Sequence, residues 1–331
     1  MAEGRLLRQL FRVGAQTGGE EFRRVAEEVI QEERAKKHHL LANDLERILY
    51  GECASGSYRG PKPVYEIPKD RERGLPLLEV RHPIRDLQDI VLSDENRSVL
   101  EEVLLEQGRA EVLASHGLKP MSRLLFCGPP GCGKTTAAEV LSTELALDLT
   151  VVRFDAVVSS FLGETAANLR RVFDFLERER LVVLFDEFDA IGKERDDPSE
   201  HGELKRVINA LLQMMDGYRG KSLLIAATNH ERLLDRALWR RFDEVLVFEQ
   251  PNLEQIRQLF ITKLRGVRYE LPLEDPGFLN YFKGFSHADV ERVLIRAIKS
   301  MVLKGREFLT IDLVEAARRR EEHRLQVISR L

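Results

Sequence analysis

Gly128-Pro129-Pro130-Gly131-Cys132-Gly133-Lys134-Thr135 is the stretch of this sequence best suited to hold phosphate. Its glycines let the backbone curl with N–H groups turned inward, and a helix opening at Lys134 adds positive potential from its N-terminus. Lys134 is expected to reach the β- and γ-phosphates of a nucleotide, and the Thr135 hydroxyl to ligate Mg²⁺. Thr136 follows in the same run and fills space beside it. The apolar run Leu124–Cys127 leads straight into the loop, which is the strand–loop–helix context such a motif requires.

Two further strand ends carry chemistry. Leu181–Phe185 is wholly apolar and ends in Asp186-Glu187, placing two carboxylates where open α/β sheets bind ligands. Asp186 suits a hold on Mg²⁺ through water, and Glu187 suits polarising the water that attacks the γ-phosphate. The run Ser222–Ala227 delivers Thr228-Asn229. Asn229 there is either a polar sensor of the γ-phosphate or lytic water, or a residue that caps a turn. Cys132 lies in the loop close to a helix N-terminus, a position that favours a thiolate, so its oxidation or alkylation is expected to block nucleotide binding.

These ends need a scaffold. Thr150–Phe154 and Glu244–Phe248 complete a set of five short apolar runs, and helical patterns at Lys134–Leu145, Ala166–Glu179 and Glu203–Met215 fall between them. Strands apolar on both faces and alternating with helices predict a parallel sheet covered on both sides. Downstream, Leu253–Leu264 and Ala288–Leu303 are amphipathic, and Thr310 is placed to cap a helix over Ile311–Arg320 that turns basic at its end. Upstream, Phe22, Val25, Ala26, Val29 and Ile30 make a helical stripe. After Gly51 the glycines and prolines read as a linker. The division expected is residues 1–83 as an N-terminal helical domain with linker, 84–250 as the nucleotide-binding domain and 251–331 as a helical lid.

Composition narrows the class. The 331 residues carry 51 basic and 55 acidic side chains, a net charge of −4, which argues against a coat for nucleic acid held by bulk charge. No apolar run approaches the roughly 18 residues of a membrane span, and Met1–Val13 lacks the form of a secretory signal. The cysteines Cys53, Cys127 and Cys132 lack metal-ligand spacing and suit a reducing cytoplasm.

The loop, the acidic strand end and the Asn-ended strand, in this order, resemble the AAA+ ATPases and within them the AAA clade of protein-remodelling ATPases. The resemblance runs from about Asp86 to Ala317. It implies an α/β fold with a five-stranded parallel sheet in an αβα core and a small helical lid. It also implies ATP and Mg²⁺ as ligands and a homo-oligomer, usually a hexamer, with ATP at subunit boundaries. Asp89-Ile90 falls where the family contacts adenine, and Gly284-Phe-Ser-His287-Ala288-Asp289 resembles the lid signature at the adenosine, with His287 in place of a glycine. Leu234–Asp243 is similar to the arginine-finger stretch, which maps the fingers to Arg240 and Arg241. It lacks the Pro-Gly that commonly precedes Arg-Phe-Asp and so leaves the leading finger open. Met215-Asp216-Gly217-Tyr218 resembles the inter-subunit signalling segment.

Phe161-Leu162-Gly163-Glu164 resembles the central-pore loop, whose aromatic–aliphatic pair grips an extended polypeptide, and Lys193–Glu203 the second pore-facing loop. A nucleic-acid translocase would instead carry Lys or Arg there. The N-terminal stretch from Val13 through Leu41-Ala42 to Leu45, a resemblance over about the first 50 residues, is similar to bacterial AAA ATPases whose partner is a separately encoded subtilisin-like serine protease. The leading expectation is therefore a cytoplasmic, ATP-driven protein unfolding or remodelling motor that feeds or regulates a protease in trans. A nucleotide-switched regulatory scaffold is the alternative, and a nucleic-acid remodeller a distant third.

Overall fold

The computed structural model describes residues 26, 27, 29, 30, 65–158, 162–187, 210–229 and 239–328. The chain divides into Met1–Glu66 and Ile67–Leu331. In the first unit the described residues 26, 27, 29 and 30 are helical, with Ala26 and Ile30 buried, while Phe22 and Val25 of the upstream stripe lie outside the described residues.

The second unit is built on a six-stranded sheet. Its strands are β1 (Leu78–Arg81), β2 (Arg123–Cys127), β3 (Leu149–Val152), β4 (Val182–Phe185), β5 (Leu223–Thr228) and β6 (Glu244–Val247), in the order β1-β3-β4-β5-β2-β6. The five apolar runs form the five parallel strands, β3-β4-β5-β2-β6. β1 is an addition to the expected five-stranded sheet. It pairs antiparallel with β3, Leu78 against Val152, on the edge and inside the stretch read as a linker. Every residue of β4 and β5 is buried, the signature of strands covered on both faces.

Helices supply that cover. α1 (Asp94–Gly108) is capped by the Ser93 side chain, which accepts from the Asn96 N–H at 3.2 Å. α2 (Ala110–Ser115) follows it. α3 (Lys134–Glu144) packs Ala137, Val140 and Leu141 into one core with Leu124, Phe126, Val182, Leu184 and Ile225. Beyond β3 come α4 (Phe154–Val157) and α5 (Leu162–Leu176). From α5, Phe173 stacks on Phe185, the strand neighbour of Leu184 and so on the opposite face, with ring centroids 6.1 Å apart. Residues 210–217 are also helical.

The remaining chain is a cluster of helices with its own aromatic core: α6 (Leu253–Lys263), α7 (Pro276–Asn280), α8 (His287–Leu303) and α9 (Ile311–Ile328). Phe260, Phe278 and Phe282 meet edge-on at 5.0–5.8 Å. Tyr269–Glu270 (β7) and Leu309–Thr310 (β8) form a small parallel ladder. α9 runs eight residues past the expected end at Arg320, and its last turn carries no basic residue. Arg318 and Arg319 instead pair at i,i±4 spacing with Glu322 and Glu315, so they support the middle of a helix rather than its C-terminus. No helix among the described residues is long and apolar enough to cross a membrane.

Candidate functional site

Strand register gathers the site. Cys127 lies opposite Thr228, and Phe185 opposite Ala226, so the chain leaves β2, β5 and β4 at one edge of the sheet, with β5 in the middle. The next residues are Gly128, Asn229 and Asp186. Gly128 has φ +138°, and a Cβ there would stand 2.0 Å from the Phe248 carbonyl oxygen. Gly131 has φ +76°, and its Cβ would stand 2.7 Å from Ser286 Oγ. Both demands admit only glycine.

Lys134 is 6% exposed, and its ammonium donates to the carbonyls of Gly128 (2.6 Å) and Pro129 (2.9 Å) and to Asn229 Oδ1 (2.8 Å). The Thr135 hydroxyl donates to Asp186 Oδ2 at 2.9 Å. A hydroxyl and a carboxylate in contact are hard oxygen donors of the kind Mg²⁺ prefers. Glu187 sits beside them with φ +50°, a left-handed conformation that is strained for this residue type and concentrates at functional sites. Its N–H donates to Asp186 Oδ1 at 2.9 Å. Both acids line a cleft of about 570 Å³ with Glu79, Arg153, Phe154 and Asp155.

The loop's other flank meets the start of α8. The Ala288 N–H donates to the Gly131 carbonyl at 3.0 Å, and the His287 N–H faces the Cys132 sulfur. Ile90 is buried, and its Cδ1 lies 3.8 Å from a Cβ position at Gly133. Asp89 accepts from the Asp86 N–H at 3.1 Å and lies 3.6 Å from Arg265. A cavity of about 290 Å³ opens here, lined by Val91, Ser93, Asn96, Cys132, Phe248 and His287. Both ring nitrogens of His287 are buried and lack a partner among the described residues, and burial lowers its pKa from 6.5 to about 4, so the ring is neutral. Pro129 and Pro130 form the exposed tip of the loop, and the Thr136 hydroxyl accepts from Arg85 at 3.3 Å. Cys132 corrects the expectation of a reactive thiolate. It is 2% exposed, and burial pushes its thiol above the ordinary range despite the neighbouring Lys134.

Arg240 and Arg241 sit elsewhere. The Asp243 carboxylate accepts from the N–H groups of Ser122 (2.7 Å) and Arg123 (2.9 Å), which ties this segment to the start of β2, the end opposite the phosphate loop. Arg240 is exposed, whereas Arg241 donates through Nε to Asp216 at 2.8 Å. Tyr218 of the same segment is buried, its hydroxyl donating to the Leu176 carbonyl at 3.0 Å. Leu162 opens α5, while Phe161 and residues 193–203 lie outside the described residues.

Two neighbours of the site were not singled out by sequence reasoning. Arg153 faces the cleft of Glu187, and its position just past an apolar strand was the available signal. Ser286 packs on Gly131 and caps α8 in a Ser-x-x-Asp capping box that the sequence spells out.

Residues 124–250 match the family model described as "ATPase family associated with various cellular activities (AAA)". An uncharacterized AAA family ATPase of Sinorhizobium fredii is 42% identical over 311 residues, covering 93% of this chain and 92% of that protein. A proteasome-activating nucleotidase of Sulfurisphaera tokodaii is 29% identical over 283 residues, 82% of this chain and 72% of that protein. One of Saccharolobus solfataricus is 32% identical over 233 residues, 68% of this chain and 59% of that protein.

Proposed function

Because the chain belongs to the AAA family of ATPases and hydrolyses ATP, we propose that it is an oligomeric motor that unfolds or remodels polypeptides and serves a protease in trans. The observation that carries this reading is the division of the chemistry between the two ends of β2. Lys134, Thr135, Asp186, Glu187 and Asn229 meet at one end, and the two arginines lie at the other. β2 spans five residues, about 16 Å at roughly 3.3 Å each. An arginine from this end supports phosphoryl transfer only on the ATP of another copy, which suits a ring, a hexamer by the family's habit.

In this reading the phosphate loop and Lys134 hold the β- and γ-phosphates, and the γ-phosphate draws the Lys134 ammonium from Asn229. Thr135 and Asp186 would hold Mg²⁺, which offsets phosphate charge when bound. Glu187 takes a proton from the attacking water, Asn229 orients that water or the γ-phosphate, and Arg240 of a neighbouring copy stabilises the transferring group. Ile90, His287 and Ala288 enclose the adenosine, so the helices after residue 251 act as a lid on the domain of residues 84–250. Phe161 and Leu162 grip the substrate chain. The relatives named as proteasome-activating nucleotidases support a protease-linked role, and the N-terminal resemblance favours a subtilisin-like serine enzyme as the partner proposed for it in the cytoplasm.

Glu187→Gln tests the core of the proposal. The variant is expected to bind ATP, hydrolyse it at least about 100-fold more slowly and retain polypeptide and protease partners in a pull-down. Wild-type hydrolysis by this variant would remove Glu187 as the base. Phe161→Ala is expected to keep ATP hydrolysis and lose unfolding of a tagged substrate, whereas intact partner function in it would favour a nucleotide-switched scaffold.

A further inference from the structure

α8 touches the phosphate loop at its start and α9 along its body, and a continuous polar chain joins the two contacts. At the loop end, the Ala288 N–H holds the Gly131 carbonyl at 3.0 Å, and Ser286 packs on Gly131. Ser286 donates to Asp289 Oδ2 through its hydroxyl (2.6 Å) and its N–H (3.0 Å), and Asp289 is 8% exposed. One turn on, Arg292 donates from Nη2 to Asp289 Oδ1 and from Nε to Glu321 Oε1 at 2.9 Å. Glu321, on α9, is 0% exposed and is also met by Arg324 at 2.6 Å and Arg296 at 3.5 Å.

A carboxylate sealed away from water loses several kcal/mol of hydration, and apolar residues of similar volume often stabilise a core as well or better. The two helices already share an apolar core, to which α8 contributes Val293, Leu294 and Ala297 and α9 Val314 and Ala317. The ionic chain therefore adds orientation rather than adhesion. Arg292 is suited to it because one planar guanidinium spans two carboxylates on two helices, which an ammonium cannot reproduce.

We propose that Arg292 and Glu321 are positioning residues for nucleotide binding. They set the start of α8 against Gly131, so the placement of α9 and the affinity of the phosphate loop for nucleotide are linked. The inference rests on the reading of residues 128–135 as the ATP loop. Linkage is reciprocal, so nucleotide must steady α9 by the factor that α9 lends to binding.

The test uses the full chain with ADP. Calorimetry measures Kd for wild type, Arg292→Lys, Glu321→Gln and the double variant, and hydrogen exchange follows residues 311–328 with and without ADP. The expected result is a Kd raised roughly 2- to 30-fold in each single variant, no further rise in the double variant, and ADP slowing exchange of α9 in wild type but not in Arg292→Lys. A purely structural role would lower the melting temperature and leave Kd and the ADP-dependent exchange intact, and that result overturns the proposal. If Arg292→Lys does not fold, wild-type exchange decides alone: indifference of α9 to ADP refutes the linkage. Wild type failing to bind ADP would instead overturn the reading of the loop itself.

Discussion

Acid should weaken this fold through His287 before it touches most carboxylates. In the unfolded chain His287 takes a proton near pH 6.5, whereas in the fold it refuses one until about pH 4, because its ring nitrogens are buried. Between those values the unfolded state binds more protons, so stability rises with pH through this window and is lost as pH falls. Taking both pKa values, the loss is about 1 kcal/mol at pH 6 and about 2 kcal/mol at pH 5, upper figures since the residue keeps some exposure. Asp289 is a separate contribution. Against the opposing effect of burial, hydrogen bonds from Ser286 and then Arg292 hold its carboxyl low, so its share disappears only below about pH 3.8. Urea unfolding of wild type and His287→Ala at pH 7.5, 6.0 and 5.0 measures the difference. Wild type should lose the additional 1–2 kcal/mol and His287→Ala should not. Parallel losses in the two proteins would refute the assignment of a buried neutral imidazole.

Gly128→Ala should abolish ATP binding and lower stability by roughly 2–5 kcal/mol, through a disallowed φ and a clash with the Phe248 carbonyl, read by calorimetry and thermal unfolding. Arg240→Ala should keep ATP affinity within about twofold and reduce turnover by ~10³ or more, while Arg241→Ala, which leaves Asp216 to its ion pair with Arg123, should reduce it less; steady-state hydrolysis ranks them. Mixing Lys134→Ala with Arg240→Ala protein should restore part of the hydrolysis that each lacks alone, because an intact loop then meets an intact arginine. No recovery would count against completion of the site by a second copy.

How much of this was legible in the sequence depended on the range of the interaction. The five parallel strands and the phosphate loop were, because runs such as Leu181–Phe185 and Leu223–Ala227 are apolar at every position and the loop glycines carry their own backbone signal. β1 was not. It is a four-residue edge strand between Pro76 and Pro83, and its Leu-Glu-Val-Arg alternation is too short to outweigh the surrounding turn residues. The burial of Cys132 was also hidden, since α8, which covers it, is supplied from more than 150 residues downstream. The difference between Arg240 and Arg241 rests on Asp216, 25 residues before Arg241, and adjacent arginines carry no local trace of it.

One strand organises the whole arrangement. β2 is gripped at its start by the Asp243 carboxylate and delivers Gly128 at its finish, while its neighbours β5 and β6 lie parallel on either side. Residues leaving these strands at the finish share one small volume, and residues entering at the start are held about 16 Å away. Bringing an arginine from the start to a phosphate at the finish within one chain would require unpairing Asp243 from Ser122 and Arg123 and peeling β6 from the sheet. Docking a second copy requires neither. In the proposed reading, the same backbone pairing that makes the loop rigid enough to cradle phosphate keeps Arg240 away from the chain's own phosphate site, so that the arginine comes from a second copy. Hydrolysis that needs Arg240 is in that case a property of the interface, and it responds to whatever shifts one copy against the next.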